Sequence, residues 1–390
     1  MTSLFTDIGY YSLNKHGERI CGDHACVVEP KDGSIVLVLA DGLNSGVKAS
    51  ILSTLTARII STMIANAMSL EECMTTVAAT LPVCKVRQIA YSTFTIIKVF
   101  PSGKAEIIQY DNPHVIVLRN GKNLELPLSA TEIDGKTIYR SKIHIRENDV
   151  FIAMTDGAVH AGVGKVFNFG WQREHIIKFM EQQYNESLAA KALTTILLHE
   201  CNRLYNNEPG DDTTVCTMKF RARKPVHLLI GPPRRKEDDA AMLSLFFAKE
   251  GKHIVCGGTS AGIAARFLGR ELKPSLDYVD PDVPPCGHIE GVDLVTEGIV
   301  TISKVLDYAR SYLGDNMRFF DWNRRRDGAS RIAQILFEEA TDITFYVGRA
   351  VNPAHQNPDI PVAFTSKMQL IDDLANSLKL MGKRITVSHF

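Results

Sequence analysis

Several things are missing from this 390-residue sequence, and each absence narrows what it can be. Charge of one sign is missing: 44 Lys and Arg balance 44 Asp and Glu, so nothing global draws the chain to nucleic acid or to an anionic membrane. Paired cysteines are missing too. Cys21, Cys26, Cys73, Cys84, Cys201, Cys216, Cys256 and Cys286 include no C-x-x-C spacing, and a chain this long needs no disulfide staples. They read as reduced, mostly buried thiols of a cytoplasmic protein. Long apolar runs are absent: Ala49 to Leu70 is interrupted by Arg58 and by several Ser, Thr and Asn, too broken for a membrane span. The opening stretch MTSLFTDIGYYSLNKHGE has an early Asp and no apolar h-region, so no signal peptide is expected. Neither G-x-G-x-x-G nor G-x-x-x-x-G-K-[ST] occurs, and no repeat or low-complexity tract is present.

What is present is ordinary globular material, 45% hydrophobic and 23% charged, long enough for two domains. Up to residue 222 the patterns are dominated by strands. Cys26 to Glu29, the turn Pro30-Lys31-Asp32-Gly33-Ser34 and Ile35 to Ala40 read as a hairpin. Val47 to Asn66 repeats Ile51, Leu55, Ile59, Ile60 and Met63 at helical spacing, which predicts the packed face. Ser69-Leu70-Glu71-Glu72 is a capping box opening a second helix. Tyr91–Phe100, Ala105–Tyr110, Val115–Arg119 and Leu124–Leu128, separated by turn residues, predict an antiparallel meander. Strands at Ile143–Ile145, Val150–Met154 and Thr213–Phe220 and helices over Trp171–Gln183 and Ser187–Tyr205 complete an α+β layered domain. Arg221-Ala222-Arg223-Lys224-Pro225 is the boundary candidate. From 225 to 390 strands and helices alternate, which predicts an α/β, three-layer domain.

The first region carries acidic residues in a repeated context. Asp41-Gly42 ends the apolar strand Ile35 to Ala40, and Asp156-Gly157 follows the apolar strand Val150 to Met154. Asp211-Asp212 precedes Thr213 to Phe220, and Asp23 precedes the strand into Val27. Each Asp-Gly alone reads as a turn. Together, at the ends of strands a sheet can place side by side, the carboxylates repel and burial raises their pKa values. A divalent cation with oxygen ligands, Mg²⁺ or Mn²⁺, removes that conflict. Glycine after the aspartate permits close backbone approach and an exposed carbonyl.

The ordered set Gly22-Asp23, Ala40-Asp41-Gly42-(x)₃-Gly46-(x)₂-Ala49, Thr155-Asp156-Gly157 and Gly210-Asp211-Asp212-Thr213-Thr214-Val215 resembles the PP2C-type metal-dependent serine/threonine phosphatases. The likeness is to their bacterial sporulation protein E (SpoIIE) branch, over residues of about 1 to 222. Tyr110-Asp111-Asn112-Pro113-His114 and the segment through Gly121 also resemble that branch. The resemblance implies a β-sandwich flanked by helices and hydrolysis of phosphate monoesters by a water activated between two metal ions. It implies that Asp41 bridges the two ions with the Gly42 carbonyl on one of them, that Asp156 and Asp211 hold the first, and that Asp23 serves the second directly or through water. Asp212 is a further candidate ligand. The implied substrate is a phosphorylated regulatory protein. Asn44-Ser45 stands where the branch has small, glycine-rich residues, and no phosphate-binding arginine is evident. His16 and Arg19 read as solvated.

In the second region Gly257-Gly258-Thr259-Ser260, between a strand and a helix, is an anion-site candidate, with tight packing as the plainer alternative. Arg324-Arg325-Arg326 reads as a solvated loop, and Cys286-Gly287-His288 with Glu290 as coincidental. The domain is expected to be regulatory or dimerising, with a homo-oligomer through it. The alternative is a non-catalytic phosphatase-like module whose α/β domain senses a ligand.

Overall fold

The computed structural model describes residues 4–69, 72–73, 75–77, 92–133, 135–274, 283–350 and 362–390, the last with backbone alone for 362–366. The chain divides into two compact units, Met1–Ala222 and Arg223–Phe390.

Two antiparallel sheets build the first unit. One has the order β2 (Asp23–Val28), β3 (Ile35–Gly42), β4 (Ser92–Val99), β5 (Lys104–Tyr110), β9 (Lys136–His144) and β8 (Ser129–Ile133). The other runs β1 (Phe5–Leu13), β11 (Thr213–Arg221), β10 (Val150–Met154), β6 (Ile116–Arg119) and β7 (Lys122–Asn123). Their inner faces share one core: Leu37, Leu39, Ile97 and Ile107 from the first meet Val117, Phe151, Ala153, Met218 and Phe220 from the second. Val36, Val38, Ala40 and Ile96 point the other way and meet Ala57, Ile60 and Ile64 of the helix Val47–Ala65. On the far side Val150, Ile152 and Met154 meet Ile176, Met180, Leu193 and Leu197 of the helices Arg173–Gln183 and Ala190–Leu204. A helix–sheet–sheet–helix sandwich buries both faces of β3 and β10, which is why these antiparallel strands are apolar without alternation.

Several sequence expectations change. Phe5–Leu13, not recognised as a strand, pairs along its whole length with Thr213–Arg221. The expected meander is split: β4 and β5 stay in one sheet, whereas β6 and β7 belong to the other. Leu124–Leu128 forms no strand, and the next ladder starts at Ser129. The crossing between sheets is fixed by side chains: Asn112 Oδ1 accepts from Thr93 Oγ1 at 2.6 Å, Asn112 Nδ2 donates to Thr95 Oγ1 at 3.2 Å, and Gln109 Nε2 donates to the Pro113 carbonyl at 2.9 Å. The packed face of Val47–Ala65 is also different. Ile51 and Leu55 are 54% and 53% exposed, while Ala49, Ser53, Thr56, Ala57, Ile60, Ser61 and Ile64 are buried. Small residues win that face because the helix lies so close to the sheet that a Cβ on Gly42 would come within 2.2 Å of the Ala49 carbonyl oxygen. By length and composition this helix is the one, among the described residues, that could cross a membrane. The helix expected from Ser69 falls partly outside the described residues, although Ser69 and Glu72 make the reciprocal bonds of a capping box. Cys84 also lies outside them.

The second unit is a mostly parallel sheet. Parallel neighbours run in the order β16 (Leu294–Thr296), β13 (Lys252–Cys256), β12 (Pro225–Ile230), β17 (Asp342–Val347) and β18 (Arg384–His389). The short antiparallel strands β14 (Lys273–Pro274) and β15 (Gly287–His288) extend it at the β16 edge. Leu229, Val255, Val295 and Tyr346 pack on the helices Asp239–Phe247 and Gly258–Leu268. Leu228, Ile254, Leu294 and Phe345 alternate with them and are equally buried, so both faces are covered. The short α-helix Gly328–Ala333 continues as a π-helix, Gln334–Glu339.

Candidate metal centre

β2 and β3 are neighbours, and their register sets Asp23 directly opposite Asp41. β10 delivers Asp156 at the start of the turn of helix Asp156–Val159. β11, paired with β10, begins immediately after Asp211 and Asp212. Four strand ends of two sheets therefore meet at one rim, and the charges of Asp23, Asp156 and Asp211 all act on Asp41.

Thr155 locks part of this arrangement. Its Oγ1 donates to Asp23 Oδ2 at 2.9 Å and accepts from the Thr214 amide at 2.9 Å. Asp212 ties in the segment before β2: its Oδ1 accepts from the Lys15 amide at 3.0 Å, while its own amide donates to Asp211 Oδ1 at 3.0 Å. The glycines are required by contact. A Cβ on Gly157 would come within 2.1 Å of the Asp212 carbonyl oxygen, and one on Gly22 within 2.8 Å of Asp212 Oδ2. The Gly157 carbonyl accepts from the Tyr205 hydroxyl at 2.7 Å. Asn44 occupies the left-handed region at φ 70° and Gly46 at φ 79°. Asparagine is one of the few residues other than glycine that adopts it readily, so the Asn44-Ser45 departure keeps a tight turn.

Burial, and then the negative charges of Asp23, Asp156 and Asp211, raise the Asp41 carboxyl far above its ordinary value. Burial also raises Asp23, against hydrogen bonds from Thr214 and Thr155 that favour its anion. Asp211 rises for the same reasons, burial first and Asp156 second. Two carboxylate oxygens, Asp23 Oδ1 and Asp212 Oδ2, are buried without a hydrogen-bond partner, although these residues are only 6% and 3% exposed. Buried acceptors are normally satisfied. A cation is the group that fits them, and a nearly all-oxygen donor set suits Mg²⁺ or Mn²⁺.

Sequence reasoning missed His160. Its side chain, with those of Asp156 and Asp211, forms the one group of three potential metal ligands among the described residues, their ligand atoms within 4.8 Å of one another. His160 Nδ1 lies 3.8 Å from Asp156 Oδ2, and the two side chains are 53% and 46% exposed. The i, i+4 spacing of Asp156 and His160 was the available signal. Also missed was Lys15, whose charge acts on Asp211. Cys21, beside Asp23, is no nucleophile: burial, then the Asp23 charge, pushes its thiol up to about 12. His16 and Arg19 are exposed. In the second unit Glu290 pairs with Arg270 at 2.9 Å, while Cys286 faces Arg331.

Residues 31–221 match the family model described as stage II sporulation protein E, SpoIIE. Asp23 lies just before that stretch. Among curated proteins none matches the chain. The phosphatase domain of the cell fate determinant SpoIIE from Bacillus subtilis is similar at 15% identity and a TM-score of 0.47, over 58% of this chain and 96% of that one. The RsbU and RsbW domains of a Mycobacterium tuberculosis protein are similar at 15% identity and a TM-score of 0.47, over 63% of this chain and 71% of that one. RsbX in complex with magnesium is similar at 18% identity and a TM-score of 0.40, over 56% of this chain and 100% of that one. By that family match, residues 31–221 of the N-terminal unit are a SpoIIE-like domain.

Proposed function

We propose that the N-terminal unit hydrolyses phosphate monoesters on serine or threonine of a phosphorylated regulatory protein, using two divalent metal ions. The observation that carries the proposal is the convergence of Asp23, Asp41, Asp156 and Asp211, in which the carboxyl groups of Asp23, Asp41 and Asp211 are raised, burial first, and Asp23 Oδ1 and Asp212 Oδ2 are buried without a partner. In this reading Asp41 serves both ions and the Gly42 carbonyl one of them. Asp156 and Asp211 serve the first, Asp23 the second, and Asp212 offers its free Oδ2. Bound Mg²⁺ or Mn²⁺ supplies a water of lowered pKa and neutralises charge on the phosphoryl oxygens. The protein's own part is positioning. Thr155 orients Asp23 through Oδ2 and leaves Oδ1 for the ion. The Lys15 amide holds Asp212, and the Lys15 ammonium, whose charge acts on Asp211, is a cation available to an incoming phosphate. The exposure of Asp156 and His160 leaves the centre open, which suits a phosphate carried on a protein surface. A cytoplasmic setting agrees with seven described cysteines that are all free thiols.

The test is phosphate release from an aryl phosphate and from a phosphoserine peptide by the full chain. Release is expected to require Mn²⁺ or Mg²⁺, to stop with chelator, and to fall by at least about 10³-fold in Asp41→Asn. Metal-independent turnover, or retained turnover in Asp41→Asn, would overturn the assignment. A folded wild-type chain that binds metal yet releases no phosphate would favour the non-catalytic alternative.

A further inference from the structure

The second unit contains a cavity of about 410 Å³ lined by Pro284, Pro285, Cys286, Arg325, Arg326 and Arg331, among others. It adjoins another of about 270 Å³ that shares Cys286 and Arg331. Arg325, Arg326 and Arg331 all border the larger cavity. The single carboxylate in the larger lining, Asp327, is already committed: Oδ1 accepts from the Ser330 amide at 3.0 Å and Oδ2 from the Ser330 hydroxyl at 2.6 Å. Arg326 and Arg331 make no salt bridge with any described residue, and Arg331 faces the Cys286 thiol. Arg326 and Arg331 are like charges on one cavity, and an anion held between them relieves their repulsion.

The wall is preformed. Gln334 Nε2 donates to the carbonyls of Trp322, Asn323 and Arg325 at 2.9, 3.1 and 2.9 Å, and the Trp322 side chain is fully buried. The turn carrying Arg325 and Arg326 is therefore fixed, which lowers the ordering cost of binding. Its place in the fold also suits a ligand. Gly328 sits against Thr296 and Cys286, where a Cβ would lie 3.1 Å from Thr296 Cγ2, so the cavity lies at the carboxyl end of β16. Open α/β sheets bind ligands beyond the carboxyl ends of their strands. At the usual crevice, between β12 and β17 where strand order reverses, Lys367 Nζ donates to the Gly348 carbonyl at 2.6 Å.

We propose that this cavity binds a small organic phosphate, its phosphate held by Arg326 and Arg331 and its body resting on Pro284 and Pro285. Arginine suits the role because its planar fork matches phosphate oxygens in pairs, and the volume falls within the range of small-molecule sites. The proposed site belongs to the second unit and takes no part in hydrolysis.

The test is calorimetric titration of the full chain carrying Asp41→Asn, in chelator, so that the acidic centre does not contribute. The probes are AMP, glucose 6-phosphate, inorganic phosphate and a phosphoserine peptide. At least one ester is expected to bind with a sub-millimolar dissociation constant and more tightly than inorganic phosphate. Adding Arg326→Gln and Arg331→Gln together is expected to weaken it by roughly tenfold or more, and Arg331→Lys, which keeps the charge, to weaken it as well. Should the double variant lose its far-ultraviolet circular dichroism, the single exposed change Arg326→Gln carries the test. No binding of either ester at millimolar concentration, unchanged affinity in the arginine variants, or binding of the peptide but of neither ester would each overturn the proposal.

Discussion

An aspartate at the end of a buried strand costs free energy unless something cancels its charge, and Asp41 has three other aspartates acting on or facing it. This is the part of the site most legible in sequence: an apolar run of strand length stops at Asp-Gly, and it does so twice. The glycines are legible only in type. That Gly42 must clear the Ala49 backbone and Gly157 the Asp212 backbone depends on contacts between remote segments. His160 was legible only as an i, i+4 neighbour of Asp156, and its place beside Asp211 depends on another strand. The raised carboxyls have a measurable consequence in metal-free protein. An acid whose folded pKa exceeds its unfolded value favours folding fully below the unfolded pKa, and that contribution is lost as pH rises through the folded one. For Asp23 and Asp41 the loss begins near the ordinary aspartate value of about 4 and continues upward through their raised values. In chelator, Asp41→Asn should therefore gain stability over wild type as pH rises from acidic to mildly alkaline, by on the order of 1–3 kcal/mol, since a tenfold change in proton affinity on folding is worth about 1.4 kcal/mol. Urea unfolding across that range is the measurement, and parallel wild-type and variant curves would falsify the coupling.

At the scale of elements, the strands that carry the site were readable and their partners were not. Period-two and continuous apolar patterns mark β3 and β10 well, because each is buried on both faces. β1 was missed because its inward residues are interrupted by Asp7, Gly9 and Tyr10. Asp7 is tolerated there because Arg221 pairs with it at 3.0 Å from the adjacent strand and the Ala190 amide donates to it at 3.1 Å. The helix Val47–Ala65 misled for the opposite reason: its larger apolar residues at Ile51 and Leu55 face outward, and its small ones are buried. Sheet membership hangs on a corner that periodicity cannot show, where Asn112 bonds both Thr93 and Thr95 from 7% exposure. Replacing Asn112 by Ala leaves two threonine hydroxyls to find new partners and is expected to destabilise the unit by about 1–3 kcal/mol. Because Thr93 lies opposite Asp41 in the ladder, the apparent affinity for Mn²⁺ should fall as well. Equilibrium unfolding and metal titration of Asn112→Ala check the two effects separately, and an unchanged unfolding midpoint would remove the corner's structural role.

For the whole molecule, the change from a strand-dominated to an alternating pattern near residue 222 was legible because the two halves obey different layer rules. The structure divides the chain there, and this makes a sharp expectation about fragments. Residues 1–222 contain both sheets of the sandwich and its three principal cores, so that fragment should fold alone and show the same metal-dependent hydrolysis as the full chain. The boundary has little slack on its inner side. β11 lies between β1 and β10, and its last residue, Arg221, pairs with Asp7 where both side chains are about 95% buried. A fragment ending at residue 212 removes that central strand, strands β1 from β10, and leaves Ile8, Phe151 and Ala153 without the Cys216, Met218 and Phe220 they pack against. Loss of several large buried side chains at several kcal/mol each exceeds the stability of an ordinary domain. Circular dichroism and thermal melting of the two fragments provide the comparison. A cooperative melt is expected for 1–222 and none for 1–212. A cooperative, metal-stabilised melt of the shorter fragment would show that the sheet can close without β11, and with it that the Asp211 and Asp212 positions are held by something other than their strand.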